Sequence, residues 1–433
     1  MRYSYDPDGN RLRLIDPTGQ LFRFTYDALN RLTQLQEGST TLARFTYDAL
    51  SRRTGLALAD GTATTYQYDA VNQLLRQDAA IDQRAYTYDP LGNRLTLTDA
   101  LGLHTYTYDA LSQLIAIDEP AGSVFPDTTL TYDALGNRTQ VMTTSATPYT
   151  TNALNQYTQI GSTALSYDLN GNLTGDGTRT LTYDSEHRLR SVAGPFGNAR
   201  YTYDPLDRRL STTVNGLTTR FLYDGDDLLA ETDSAGLITA TYLYGPEIDE
   251  PLRLTRGSQS AYYHADALGS IIALTDPTGA VLERASYEAF GTPQLVDPAG
   301  VPRATSAVGN RFLFTGREYD QDTGLYYDRY RTYNPILGRF HQRDPLGALP
   351  DLNLYRYAGN NPFLFTDPFG LDVWIEGPGP GERPRRHQSI NVGDPNGEYD
   401  SYSFGVNGQY NLEYGIEGQV YRDPIKGGAV SSS

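Results

Sequence analysis

The sequence contains no cysteine. Disulfides, thiolate catalysis and cysteine-based metal sites are therefore excluded, and a secreted fold of this size must be held by its core alone. Long apolar runs are missing too: none approaches the ~18 residues of a membrane-spanning helix. Met1 runs straight into RYSYDPDGN, without the charged and apolar regions of a Sec signal. The expectation is export by another route, or through a segment outside this sequence. Positive charge is scarce, with 35 Lys and Arg against 52 Asp and Glu and a formal net charge of −17. So acidic a chain argues against a nucleic-acid-binding shell or an anionic membrane partner, since both need clustered cations. Tryptophan is nearly absent, at one residue against 35 tyrosines and 14 phenylalanines. Tyrosine combines an apolar body with a polar tip and favours strands. Forty-two glycines and 24 prolines interrupt the chain too often for long helices.

What is present is a repeat. Tyr-Asp pairs begin at Tyr5, Tyr26, Tyr47, Tyr68, Tyr88, Tyr108, Tyr132, Tyr167, Tyr183, Tyr203 and Tyr223, and the first six recur every 20 or 21 residues. So tight a period marks a repeat architecture. An aromatic stands two residues before many of these tyrosines, as at Tyr3, Phe24, Phe45, Tyr66, Tyr86, Tyr106, Tyr201 and Phe221. Period-two alternation is a strand with one packed face, on which these rings are expected to stack across strands. The Asp is expected to cap an Asx-turn. Three residues after it comes Gly9, Asn30, Ser51, Asn72, Gly92, Ser112, Gly136, Gly171, His187, Asp207 or Asp227, mostly types that tolerate positive φ. Strand, turn, strand, repeated, makes an antiparallel ribbon that must curl. The tyrosines read as sheet packing rather than a glycan-binding stripe. The Asp residues read as turn caps rather than calcium ligands, and no cofactor or metal site is expected.

The stretches YDALNRLTQL (26–35) and YDPLGNRLTL (88–97) resemble the YD repeats of the Rhs and teneurin families. The resemblance covers about residues 2 to 245. It implies an all-β fold in which a β-strip spirals into a hollow, here partial, shell. After Tyr244 the pattern changes. The segment from 246 resembles the Rhs-associated core that closes such a shell, and His264, Asp266 and Gly269 in YYHADALGS are assigned structural roles. The resemblance is most specific from GNRFLFTGREYDQDTGLYYDRYRTYNPILGRF (309–340) through DPLG (344–347), YRYAGNNP (355–362) and DPFGL (367–371). The expected organisation is a YD-repeat shell at 1–245, a core at 246–371 and a variable β-rich extension at 372–433.

Asp-Pro-x-Gly alone is ordinary turn chemistry, and it occurs at Asp6, Asp16, Asp89, Asp276, Asp297, Asp344, Asp367 and Asp394. Two carboxylates held close can share a proton, one acting as base for water and the other as acid. The sequence does not show that any two of these meet. The Rhs resemblance implies that Asp344 and Asp367 do, that Arg331 supports them, and that the core cuts its own chain between Leu371 and Asp372. The reading from the residues alone remains two turn caps and an ion pair.

The tail carries the only tryptophan, Trp374, and short strands are expected at VWIE, SINVG, YSFGV and QVYR. His387, with Glu376 and Asp394 near in sequence, reads as a solvated residue of a Pro/Arg-rich loop. The resemblance implies that this tail is the payload of a secreted or cell-surface bacterial toxin, with its own C-terminal segment as enclosed cargo. A toxin would also imply an immunity protein, and the chain's start inside a strand, at an open sheet edge, gives the expectation of a secretion-system or N-terminal shell component as a partner. A cell-surface adhesin and a shell remnant without active cargo are the alternatives.

Overall fold

Each Tyr-Asp turn is closed by the same few bonds. At Asp27, Oδ1 accepts from the backbone N–H groups of Leu29 and Arg31 at 2.9 and 3.0 Å. The same pair of bonds recurs at Asp48, Asp89, Asp109 and Asp133. These are the Asx-turns that the composition requires. The third residue after the Asp is left-handed in ten of the eleven repeats, from Gly9 (φ 83°) to Asp207 (φ 63°). Asp227 departs from the expectation: that turn is shorter, Asp224 pairs directly with Asp227, and Gly225 takes the positive φ of 63°. Asn155 (φ 61°) ends a further turn that Thr151-Asn152 opens in place of Tyr-Asp.

The computed structural model describes residues 1–348 and 351–371, together with the strands Trp374–Ile375, Ser389–Val392 and Asp400–Ser403. Seventeen strands, from Arg2–Tyr5 to Thr163–Ala164, form one antiparallel sheet in which each pairs with its chain neighbours. Fifteen more, from Ser166–Tyr167 to Pro302–Arg303, form a second. Neither closes into a barrel. A bulge sits beside the tyrosine in repeat after repeat, as at Thr25/Tyr26, Thr46/Tyr47, Thr107/Tyr108 and Thr202/Tyr203. Bulges bend a strand and increase its right-handed twist, so one per repeat winds the strip.

The winding lays a later turn of the strip against an earlier one. Tyr3 meets Asp224, Glu37 meets Arg253, Asp60 meets Thr275, Gln77 meets the Ala265 carbonyl and Arg284 meets the Ile81 carbonyl. These partners lie 188 to 221 positions apart in the chain, about one turn of the spiral. His264 belongs to this junction. Its Nε2 is 2.8 Å from Thr275 Oγ1 and 3.6 Å from Asp60, while Asp266 caps its own turn and Gly269 is left-handed at φ 81°.

The tyrosines set register. The hydroxyls of Tyr47, Tyr88, Tyr108, Tyr132, Tyr203 and Tyr223 donate to the carbonyls of Leu32, Leu74, Arg94, Leu114, Leu189 and Arg209 at 2.8–2.9 Å. Several of the rings lie beneath the arginine of the preceding turn, as with Arg31 over Tyr47 at 4.8 Å and Arg188 over Tyr203 at 5.1 Å. The rings expected to stack across strands are covered by arginine too, as with Arg53 over Phe45 at 5.0 Å, Arg94 over Tyr86 at 4.6 Å and Arg209 over Phe221 at 5.4 Å, which corrects that expectation. Ring-on-ring contacts gather instead in the later segment, where Tyr333 and Tyr357 are 4.3 Å apart.

That segment carries a four-stranded sheet of Glu318–Asp320, Leu325–Asp328, Arg331–Asn334 and Arg339–Phe340. It packs against the row of Tyr-Asp turns, whose left-handed residues offer it their carbonyls. Ser112 accepts from Asn361, Gly136 from Asn360, Asn155 from Arg339, Gly171 from Tyr355, His187 from Gln342 and Asp207 from Tyr327. In the tail, three of the four expected strand regions overlap strands, which pair as one small antiparallel sheet; QVYR lies outside the described residues.

Arg339 donates to Asn155 and Asn137 at 2.8 and 3.0 Å and lies 3.4 Å above the Tyr157 ring. Arg339→Ala strands buried acceptors and is expected to cost about 3 kcal/mol in urea denaturation, against about 1 kcal/mol for Tyr108→Phe. His104 is held between Glu119 and Asp99 at 2.9 and 3.3 Å, and these carboxylates, against the opposing effect of burial, raise its pKa to about 9. A folded value raised above the unfolded one stabilises fully below the ordinary histidine pKa, and that gain is lost as pH rises to about 9. His104→Gln is expected to flatten the stability profile between pH 6 and 9, measured by thermal melts.

Candidate active site

Arg331 opens the strand Arg331–Asn334, and its side chain has 0 % exposure. One nitrogen, Nη2, lies 2.9 Å from Asp344 Oδ2 and 3.0 Å from Asp367 Oδ2. The two carboxylates named from the sequence therefore stand within two hydrogen-bond lengths of each other. Arg331 also stacks on Phe340 at 3.6 Å, donates through Nη1 to the Leu354 carbonyl at 3.2 Å and through Nε to the Gly370 carbonyl.

Each carboxylate also caps its own turn. Asp344 Oδ1 accepts from the Leu346 N–H at 2.7 Å, and Asp367 Oδ1 accepts from the Leu371 N–H at 3.0 Å. The turn-cap reading and the paired-carboxylate geometry thus coexist: one oxygen of each Asp serves its turn and the other faces Arg331. Asp367 in this way holds the backbone of the residue that precedes the expected cut.

The DPFGL loop is pinned residue by residue. The hairpin between Leu325–Asp328 and Arg331–Asn334 lies along it. The Pro368 carbonyl accepts from the Arg329 guanidinium, Phe369 from the Tyr330 N–H at 3.1 Å and Gly370 from Arg331. Arg329 is left-handed at φ 56°, an uncommon state for a side chain of its size. Its guanidinium is fixed by Asp249 at 2.8 and 3.1 Å. Gly370 has φ 68°, and a Cβ there would come 2.7 Å from the Asp328 carbonyl, so only glycine fits.

Asp249, Asp328 and Asp227 are acids around this site that sequence reasoning missed. Asp249 also takes a bond from Arg317 at 2.6 Å, and Arg317 stands 3.5 Å from Asp328. Asp328 is the cross-strand partner of Arg331. Burial pushes its carboxyl up to about 7; the charges of Asp367 and Asp249 add to this, and Arg317 and Arg329 oppose it. Burial likewise raises Asp227 to about 7, with Asp249 adding and Arg329 opposing. The one signal for Asp328 was a Tyr-Asp pair at Tyr327, which reads as one more repeat.

Asp372, Glu376, His387 and Asp394 lie outside the described residues. Among the described residues no group of three or more His, Asp or Glu is placed to hold a metal ion, and no helix is long and apolar enough to cross a membrane.

A profile of the teneurin YD-shell family matches residues 101–363, and an RHS-repeat profile matches residues 5–42 and 68–105. The tRNA nuclease WapA of Bacillus subtilis is 38% identical over 261 residues, covering 57% of this chain and 11% of WapA. Toxin protein Tse5 of Pseudomonas aeruginosa is 31% identical over 267 residues, covering 51% of this chain and 19% of Tse5. Double-stranded DNA deaminase toxin A of Burkholderia cenocepacia is 31% identical over 243 residues, covering 47% of this chain and 16% of that protein. The chain thus spans about a tenth to a fifth of the length of these relatives. The crystal structure of TcdB2-TccC3-TEV superposes with a TM-score of 0.71 at 22% identity, over 85% of this chain and 21% of that one. The structure of TcdB2-TccC3 without its hypervariable C-terminal region superposes at 0.70 over 85% of this chain and 21% of that one. The structural likenesses speak for the fold alone. With its wound strip of Tyr-Asp turns, and with more than half its length under one profile, the chain belongs to the teneurin YD-shell family and carries RHS repeats.

Proposed function

We propose that this chain is part of a bacterial toxin shell that cuts itself between Leu371 and Asp372 and thereby frees a C-terminal payload. In this reading residues 1–245 are shell, 246–371 are the core with the cutting site, and 372–433 are the variable payload-like extension. The observation that carries the reading is the shared nitrogen of Arg331. It holds Asp344 and Asp367 together through Oδ2 of each, while Oδ1 of Asp367 accepts from the Leu371 N–H. The names of relatives as toxins and nucleases, and the likeness to the TcdB2-TccC3 fold, support it. Secretion or surface display, an immunity protein, and a secretion-system or further shell component belong to the same reading.

The chemistry is hydrolysis by paired acids. A water attacks the Leu371 carbonyl carbon and one carboxylate takes its proton. The C–N bond to Asp372 then breaks as a protonated carboxyl delivers a proton to the departing nitrogen. The proton taken from water is the one delivered to the nitrogen, so the pair ends as it began; Asp328, beside Asp367, is neutral up to about pH 7 and above that adds a negative charge that opposes the oxyanion forming in the step.

Asp344→Asn is expected to remain one full-length species by intact mass, where the parent gives a fragment ending at Leu371. The loss of a positioned acid or base is worth at least about 100-fold in rate. Two fragments from that variant would end the assignment. The cleavage rate is expected to fall as pH rises through about 7, because the raised carboxyl of Asp328 loses its proton there. Asp328→Asn should remove that inflection in a pH series of cleavage time courses. It should also remove the loss of stability between the ordinary carboxylate range and about pH 7 that a raised carboxyl imposes.

A further inference from the structure

Leu371 is 7% exposed, and its side chain packs against Tyr330, Leu346 and Phe369. Leu346 comes from the other Asp-Pro-x-Gly turn, the one that carries Asp344. Its backbone N–H is the group that donates to Asp344 Oδ1, at 2.7 Å. One residue therefore touches the side chain before the cut with its own side chain and an acid of the pair with its backbone.

Its neighbours in sequence pattern behave otherwise. The same DPLG turn at Asp89 leaves Leu91 74% exposed, and the equivalent positions Leu111, Leu154 and Leu206 are 72%, 65% and 67% exposed. At Asp344 the apolar residue instead folds over another side chain, and that side chain is Leu371. The opposite wall is fixed: Phe369 and Tyr330 are joined by a backbone bond at 3.1 Å. A change of size at position 371 must therefore be taken up by Leu346, and Leu346 moves the hydrogen bond to Asp344 with it. Displacements of about 1 Å are enough to slow a positioned reaction by up to about a hundredfold.

Building on the cleavage reading, we propose that Leu346 is a positioning residue that senses the side chain at position 371 and sets Asp344 accordingly, so that leucine is selected there by size. Tyr330 and Phe369 form the rest of the pocket.

The test is a size exchange in the full chain, read by intact-mass time courses with melting temperatures taken alongside. Leu371→Phe and Leu346→Ala are each expected to slow cleavage about tenfold, the effect of overpacking or emptying one side-chain site. The double variant conserves total volume and is expected to recover to within a few-fold of the parent. It also keeps the test decisive if either single variant folds poorly. Cleavage of Leu371→Phe at the parental rate, or a double variant slower than Leu371→Phe, overturns the proposal while the cleavage reading stands. A parent that stays intact removes the cleavage reading and this proposal with it.

Discussion

Everything in this structure hangs on the left-handed residue that ends ten of the eleven Tyr-Asp turns. The Asx cap forces the chain to reverse, and the reversal needs positive φ at its last position. Once there, that residue's carbonyl is no longer committed to a strand ladder. In six successive turns, from Ser112 to Asp207, it is taken up by a side chain of the 309–371 segment. The feature that winds the strip also supplies the sockets into which the later segment fits. Buried carbonyls must find donors, so the fit is enforced rather than incidental.

Arginine is the donor that makes this work in an acidic chain. The sequence has a single lysine, Lys426, so nearly all its 35 cationic residues are arginines. A guanidinium offers several directed donors and stacks on aromatic faces, which suits it to burial. Arg339 does both with Asn137, Asn155 and Tyr157. Arg331 does the same with Asp344, Asp367, Gly370 and Phe340. The tyrosine-rich composition belongs to the same scheme, since tyrosines supply both the faces and the hydroxyl donors.

The candidate site is a place where a fold-wide motif acquires a second task. Asp344 and Asp367 are Asx caps like Asp89 or Asp276, and their first oxygens do what every such cap does. What separates them is the environment of the second oxygen. At Asp89 it meets an Asn four residues on; at Asp344 and Asp367 it meets a buried Arg331 shared between them. Burial, with the charges of Asp367 and Asp249 adding to it, raises the neighbouring Asp328 carboxyl to about 7.

Period, alternation and turn chemistry were legible in the residues, because each is local: a strand shows every second residue, and an Asp cap needs only the next few amides. From them followed the all-β class, the antiparallel pairing and the left-handed positions, with Asp227 the exception because its hairpin is shorter than the motif assumes. The resemblance to the Rhs core, and not the local pattern, singled out Arg331, Asp344, Asp367 and Leu371. What tertiary structure alone decided is which turns meet. The one-turn offset of the spiral, the stacking of arginine from a neighbouring turn on the repeat tyrosines, and the gathering of Arg317 and Arg329 on Asp249 all join residues of different repeats or segments. Their contacts depend on summed bulge and twist over many repeats, a quantity no local pattern carries.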